Sequence, residues 1–322
     1  IVYGFPPNVG AVATAALLDV GESVRSVLIR MKEEGYDIGE CDPRGWKGDD
    51  IVSVMREISM TGGERGVRES VRLLSTLRGA VNRLPGAQIY GAEVSPSQLK
   101  GWLGADMTQK MERQWGDLET YRNPDLGTTS KGNYTIIGLQ IGKILIGLQP
   151  LLGVEGDPMR LLFERDLTPH PQYAAFYKWL ERERNTHVNL HFGMHGTVEW
   201  LPGSPLGNTQ YTWPDLLLGT APNMYIYACN NPSESILAKR RGYATVISHN
   251  VPPYSRAGLY QQLLAVRGAL SDYRSERGEK ARDCIPLLVS VTDRAGLFDD
   301  LPFNDKYCAP KNVEKEEERE RE

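Results

Sequence analysis

Residues 221–249 constrain the fold more tightly than any other stretch of the sequence. In APNMYIYA (221–228), Met224, Ile226 and Ala228 alternate with Asn223, Tyr225 and Tyr227, the period-two pattern of a half-buried strand. Asn231, Pro232 and Glu234 then stand where a helix takes its N-cap, its first residue and its N3 carboxylate. Gly242 closes that helix directly after Lys239, Arg240 and Arg241, and YATVISH (243–249) resumes as a strand. Strand, capped helix and strand in direct succession predict a βαβ crossover, which joins neighbouring parallel strands.

The same alternation opens the chain. IVYGFPP (1–7) reads as a strand, and Val20, Val24, Val27, Leu28 and Met31 repeat at helical spacing up to Gly35. Further helices are predicted over 49–58, 67–81, 95–103 and 105–115, followed by a polar loop over 116–133. A β-hairpin over 134–149 turns at Gly142-Lys143. A helix begins at Pro171 with Ala175, Phe176, Trp179 and Leu180 for packing, and a short strand follows through Thr186, Val188 and Leu190. Another helix is predicted over 256–273, then an apolar segment over 285–291. The expected class is α/β, with Rossmann-like parallel sheets flanked by helices in two α/β subdomains, 1–125 and 126–305. A charged tail follows over 306–322.

Composition removes several functions. Thirty-seven basic against 41 acidic residues give a net charge of −4 with no basic face, which argues against a nucleic-acid partner. The four cysteines, Cys41, Cys229, Cys284 and Cys308, lie far apart, so neither a zinc knuckle nor a disulfide framework is indicated, and a reducing compartment fits. The apolar run over 134–154 contains Gln140, Lys143 and Gln149, which a membrane-spanning helix would have to bury, so no transmembrane segment is expected. The opening at Ile1, without a leader-like segment, is read as a piece of a longer protein or a processed form.

Chemistry concentrates in HVNLHFGMHGTVEWLPGSPLG (187–207), with three of the five histidines, Glu199 and Trp200 in a glycine-broken loop. His191, His195 and Glu199 recur every four residues, but Gly193, Gly196 and the pair Thr197-Val198 oppose a helix, so the spacing is no metal-binding signature by itself. Two other sets lie near strand ends: Glu155 with Asp157, and Lys239 with Arg240 and Arg241. Carboxylates and imidazoles can hold a divalent ion or move protons, and Mg²⁺ would favour the carboxylates. The basic triplet either meets substrate carboxylates or complements a helix C-terminus. The residues alone give an acid/base or metal-handling site in an α/β protein.

Four motifs in order then go beyond composition: GVEGDPMRLLF (153–163), HFGMHGTVEWLPG (191–203), NNPSESILAKRRGYA (230–244) and PP-x-x-x-AGLY (252–260). Together with the FPP opening and Gln149-Pro150, they resemble the large H subunit of magnesium chelatase over residues 1 to about 300. The chain departs from that family at Ala11 and Ala13, where an Asn and a second Gly are usual, and family members are several times longer. Trp200 is closer to the related cobaltochelatase large subunit. The resemblance implies insertion of Mg²⁺, as substrate ion, into protoporphyrin IX on the way to chlorophyll. ATP would be hydrolysed by AAA+ partner subunits acting with an integrin-like-domain subunit. This agrees with the absence of a G-x-x-x-x-G-K-[ST] loop here. It implies Glu199 as proton acceptor or metal-delivering carboxylate with His191 and His195 beside it, and Glu155 and Asp157 as a second carboxylate set. Lys239, Arg240 and Arg241 would meet the propionates, with Trp200 and Asn231 in the porphyrin-binding set. The compartment would be a chloroplast stroma or a bacterial cytoplasm. Cobalt insertion into a corrinoid precursor and a non-catalytic tetrapyrrole-binding or signalling module remain alternatives.

Overall fold

A computed structural model describes residues 1–2, 12–13, 15, 18–64, 79–122, 132–150, 152, 160, 164–193, 196–204, 207–226, 232–248 and 262–300. The chain divides into two compact units, Ile1–Val251 and Pro252–Glu322.

The first unit holds two three-stranded sheets. β1 (Gln88–Val94), β2 (Tyr134–Ile141) and β3 (Ile144–Gly147) are antiparallel in the order β1-β2-β3. β4 (Asn189–Phe192), β5 (Asn223–Ile226) and β6 (Thr245–Ile247) are parallel in the order β4-β5-β6. The α/β class therefore stands, with one parallel sheet and one that grows from the hairpin. Val2 joins them, bridging in parallel to Leu148 on one side and Phe192 on the other. Its N–H donates to the Gly147 carbonyl at 2.8 Å, and Phe192 N–H donates to the Ile1 carbonyl at 2.9 Å. Ile1 and Val2 thus form the seam between the two sheets, while the rest of the strand expected over 1–7 lies outside the described residues.

β2 shows why helices cover both faces. Tyr134 and Ile136 enter one core, whereas Leu139 and Ile141, of opposite parity, enter the other. The second core is closed by α1 (Val20–Glu33) and α2 (Gly48–Glu64) through Val20, Val24, Leu28, Ile51 and Met55. Asp19 caps α1 by accepting from Glu22 N–H at 2.9 Å, and Gly35 follows the helix at φ +84°. The first core is closed by α3 (Pro96–Leu103), α4 (Ala105–Trp115) and α5 (Pro171–Arg182). A capping box between Ser95 and Gln98 starts α3. Every residue of α5 from Pro171 to Leu180 is buried. That includes Lys178, which donates to Glu181 and, at 3.1 Å, to the Leu216 carbonyl. A helix buried all round belongs at the centre of a unit.

The hairpin turns where the sequence places it. Gly142 has φ +56°, and a Cβ there would lie 2.3 Å from Gly39 N, while Lys143 N–H donates to the Asp37 carbonyl at 2.9 Å. Gly142→Ala is expected to lower stability by about 2–4 kcal/mol, combining left-handed strain with overpacking. Urea unfolding of the two chains measures it.

Some elements have no counterpart in the sequence reading, β1 and α6 among them. β1 is half-exposed and carries Gly91 and Glu93, which blur its alternation. α6 (Trp213–Leu218) is only six residues long. The region over 65–78, with most of the helix predicted there, lies outside the described residues. In the second unit α8 (Gln262–Ser275) packs against α9 (Glu279–Arg294), so the apolar segment at 285–291 is helical and contains Pro286. α7 (Pro232–Gly242) connects β5 to β6 as the crossover predicted from residues 221–249, with Pro232 as its first residue.

Candidate functional site

The polar residues of the first unit converge beyond the carboxyl ends of β4 and β5, where parallel α/β sheets commonly bind ligands. His191 on β4 and Tyr225 on β5 are register partners, so their side chains leave the sheet on the same face. The Tyr225 ring meets the His191 ring edge-on, with centroids 4.7 Å apart at 66°. After β4 the chain passes Gly196 and enters a single 3₁₀ turn, Val198–Trp200, which carries Glu199 inward. His191 thus sits on a strand and Glu199 on a 3₁₀ turn, consistent with the glycines and β-branched residues that oppose a continuous helix.

Glu199 is fully buried, and its Oε2 accepts from the Tyr225 hydroxyl at 2.5 Å. Arg241, at the end of α7, is also buried; its guanidinium donates to the Leu201 carbonyl at 2.6 Å and feels the charge of Glu199. A buried carboxylate needs such compensation, because desolvating an uncompensated charge costs several kcal/mol. Burial lowers the Arg241 pKa from its usual value and Glu199 opposes that shift.

α5 supplies the next layer. Gln149, two residues after β3, donates from Nε2 to the hydroxyls of Tyr173 at 2.9 Å and Tyr177 at 2.6 Å. Tyr173 is hydrogen-bonded to Thr197 Oγ1 at 2.8 Å, and Tyr177 to His191 Nε2 at 3.0 Å. All five side chains are buried. Burial holds His191 near pKa 3, so its ring is neutral at physiological pH. Burial pushes the phenols of Tyr173, Tyr177 and Tyr225 upward, which keeps them protonated and able to donate. The cluster is therefore a network of neutral donors and acceptors around one buried carboxyl group and one permanent cation.

The expected site residues separate into three groups. Glu199, His191, Trp200 and Arg241 come together here. Lys239 and Arg240 are exposed on α7, outside this buried set. His195, Asn231, Glu155 and Asp157 lie outside the described residues. Among the described residues no group of three or more His, Cys, Asp or Glu side chains could hold a metal ion. Also among them, no helix is long and apolar enough to cross a membrane.

Sequence reasoning gave no site role to Tyr173, Tyr177, Gln149 or Thr197. The available signal was the i, i+4 spacing of the two tyrosines, which sets both hydroxyls on one side of α5. A cleft of about 560 Å³ lies elsewhere, between α1, β3 and the start of β4, lined by Val24, Leu28, Ile144, Leu145, Val188 and Leu190 among others. Neither Glu199, Tyr225 nor Arg241 lines it. Its walls are mostly aliphatic, so the titratable groups mark the chemistry better than this concavity does.

The profile of the CobN/Magnesium Chelatase family matches residues 1–322, and the chain belongs to that family. The H subunit of the magnesium chelatase of Chlorobaculum parvum is 38% identical over 305 residues, covering 94% of this chain and 22% of that protein. The aerobic cobaltochelatase subunit CobN of Pseudomonas aeruginosa is 42% identical over 132 residues, 41% of this chain and 11% of that protein. Among solved structures, the catalytic subunit of cobaltochelatase from Mycobacterium tuberculosis superimposes with a TM-score of 0.58 at 23% identity. That superposition covers 98% of this chain and 24% of the cobaltochelatase chain, and shows the shared fold. The chain spans about a fifth of the length of the magnesium-chelatase relatives it matches.

Proposed function

We propose that this chain is a segment of the large, porphyrin-binding subunit of a magnesium chelatase. That enzyme inserts Mg²⁺ into protoporphyrin IX with ATP hydrolysed by AAA+ partner subunits, acting with an integrin-like-domain subunit. The observation that carries the reading is the buried carboxyl of Glu199, held by Tyr225 beside Arg241 and the neutral His191, in a chain of this family. Metal insertion must remove two pyrrole protons and accept a cation, and a single fixed carboxylate among neutral hydrogen-bonding groups suits the first task. Glu199 is the proton acceptor or metal-delivering group, with His191 and His195 at its side. Glu155 and Asp157 provide a second carboxylate set for the incoming ion, as its preference for oxygen ligands requires. Trp200 and Asn231 belong to the porphyrin pocket. Lys239 and Arg240, exposed on α7, are the better placed of the basic triplet to meet propionates, because the Arg241 side chain is engaged inside. A stroma or a bacterial cytoplasm would house the enzyme.

The match to a cobaltochelatase subunit over 132 residues supports a second reading, cobalt insertion into a corrinoid precursor. Reconstitution of the complete enzyme with ATP, assayed in parallel with Mg²⁺ and Co²⁺, separates the two by the absorbance of the metallated product. Mg²⁺ insertion into protoporphyrin IX is the expected result. Porphyrin binding without insertion of either ion would instead identify a non-catalytic tetrapyrrole module.

A further inference from the structure

We propose that Tyr225 is the positioning residue of this site, holding the Glu199 carboxyl in its working orientation, an inference that rests on the role proposed for Glu199. Tyr225 is completely buried and its hydroxyl has one proton to give, which goes to Glu199 Oε2 at 2.5 Å. The phenol has no room to turn away. The His191 ring stands edge-on to it at 4.7 Å, and β5 fixes its backbone opposite His191.

Gly196 gives independent evidence of how tightly the phenol is seated. A Cβ built on Gly196 would lie 2.2 Å from the Tyr225 hydroxyl oxygen and 2.3 Å from the ring carbon that bears it. The space a side chain would need at position 196 is therefore taken by the tip of Tyr225. The glycine of the sequence HGTVEW, three residues before Glu199, is thereby explained by a residue on a different strand. Strand, histidine ring and glycine backbone together aim one donor at one carboxylate oxygen.

Such an arrangement matters to a group that must take a proton from, or hand an ion to, a ring nitrogen. Displacement of a reacting group by about 1 Å costs on the order of a hundredfold in rate. Tyr225 itself transfers nothing: its proton stays on the phenol, where burial and the neighbouring carboxyl both favour it. Its contribution is orientation, so its loss falls on turnover and leaves porphyrin affinity intact.

The test uses the complete metal-inserting enzyme, with kcat and porphyrin KM measured for Tyr225→Phe, Glu199→Asp and Glu199→Gln. Tyr225→Phe is expected to lower kcat by about 10- to 100-fold while porphyrin KM stays within about twofold. Glu199→Asp, which withdraws the carboxyl from the fixed hydroxyl, is expected to give the same signature. Tyr225→Phe at wild-type kcat, while Glu199→Gln is inactive, overturns the positioning role and leaves Glu199 in place. A rise in KM matching the fall in kcat for Tyr225→Phe also overturns it, since that is the mark of a residue supporting the pocket as a whole. Full activity of Glu199→Gln removes the role of Glu199 and this proposal with it. Should Tyr225→Phe fail to fold, Glu199→Asp decides: unchanged kcat would show that the hydroxyl-to-carboxyl geometry is not required.

Discussion

Glu199→Gln in the complete enzyme is expected to lower kcat for metal insertion by at least about 100-fold, with porphyrin affinity unchanged within about twofold. A positioned general base contributes roughly 10²- to 10⁴-fold, and an amide of the same shape can neither accept the proton nor carry the charge. Tyr225 can still donate to the amide oxygen, so the substitution isolates charge and basicity from shape. The dependence on Mg²⁺ tells the two roles apart. If Glu199 takes the pyrrole proton, the loss persists at every Mg²⁺ concentration; if it delivers the ion, raising Mg²⁺ restores part of the rate. A stability cost accompanies either outcome. Arg241 is 3% exposed and feels Glu199, and removing the anionic partner leaves a guanidinium buried beside neutral groups. Loss of that attraction should appear as a fall in melting midpoint together with the kinetic defect. Wild-type kcat in Glu199→Gln would remove Glu199 from the mechanism altogether.

The sequence made the frame legible where local rules and tertiary packing agree. Ser95 caps its helix as a short polar residue does, Gly142 turns the hairpin, and the β5–α7–β6 crossover follows from alternation and a proline at the first helical position. It was silent where a feature arises from pairing across distance. The union of the two sheets depends on Val2 bridging Leu148 and Phe192, which lie 146 and 190 residues away, and no local pattern encodes that. The site divides in the same way. Glu199 and His191 stood out as polar residues in a glycine-rich motif, but the residues that hold them stand in apolar surroundings that read as core. Tyr173 and Tyr177 flank Ala174, Ala175 and Phe176 in a buried helix, and Tyr225 alternates in a strand. Only their hydroxyl partners distinguish them from packing residues. Arg241 shows the converse: it shares a basic triplet with Lys239 and Arg240, yet its place on α7 turns it alone into the interior.

Acid should destabilise the first unit as pH falls below about 6.5, because the unit buries two neutral histidines. His170 caps α5, its Nδ1 accepting from Gln172 N–H at 3.1 Å while Nε2 pairs with the Tyr121 hydroxyl at 2.7 Å. Trp115 packs edge-on against its ring at 4.9 Å. Burial holds both His170 and His191 near pKa 3, against 6.5 for an exposed imidazole. As pH falls below about 6.5 the unfolded chain binds a proton at each ring and the folded chain does not, so unfolding becomes more favourable. The stabilisation is complete above that value and is lost progressively down to about pH 3. Each histidine contributes a slope of up to about 1.4 kcal/mol per pH unit, and the two together up to about twice that. Urea unfolding midpoints between pH 7 and 4 measure the slope. His170→Asn retains a cap acceptor for Gln172 N–H but has no proton to take up, so it should remove one proton's worth of the slope while lowering stability at pH 7 through lost packing against Trp115. An unchanged slope in that variant would mean that His170 is protonated in the folded chain, and that the Tyr121 contact holds an imidazolium.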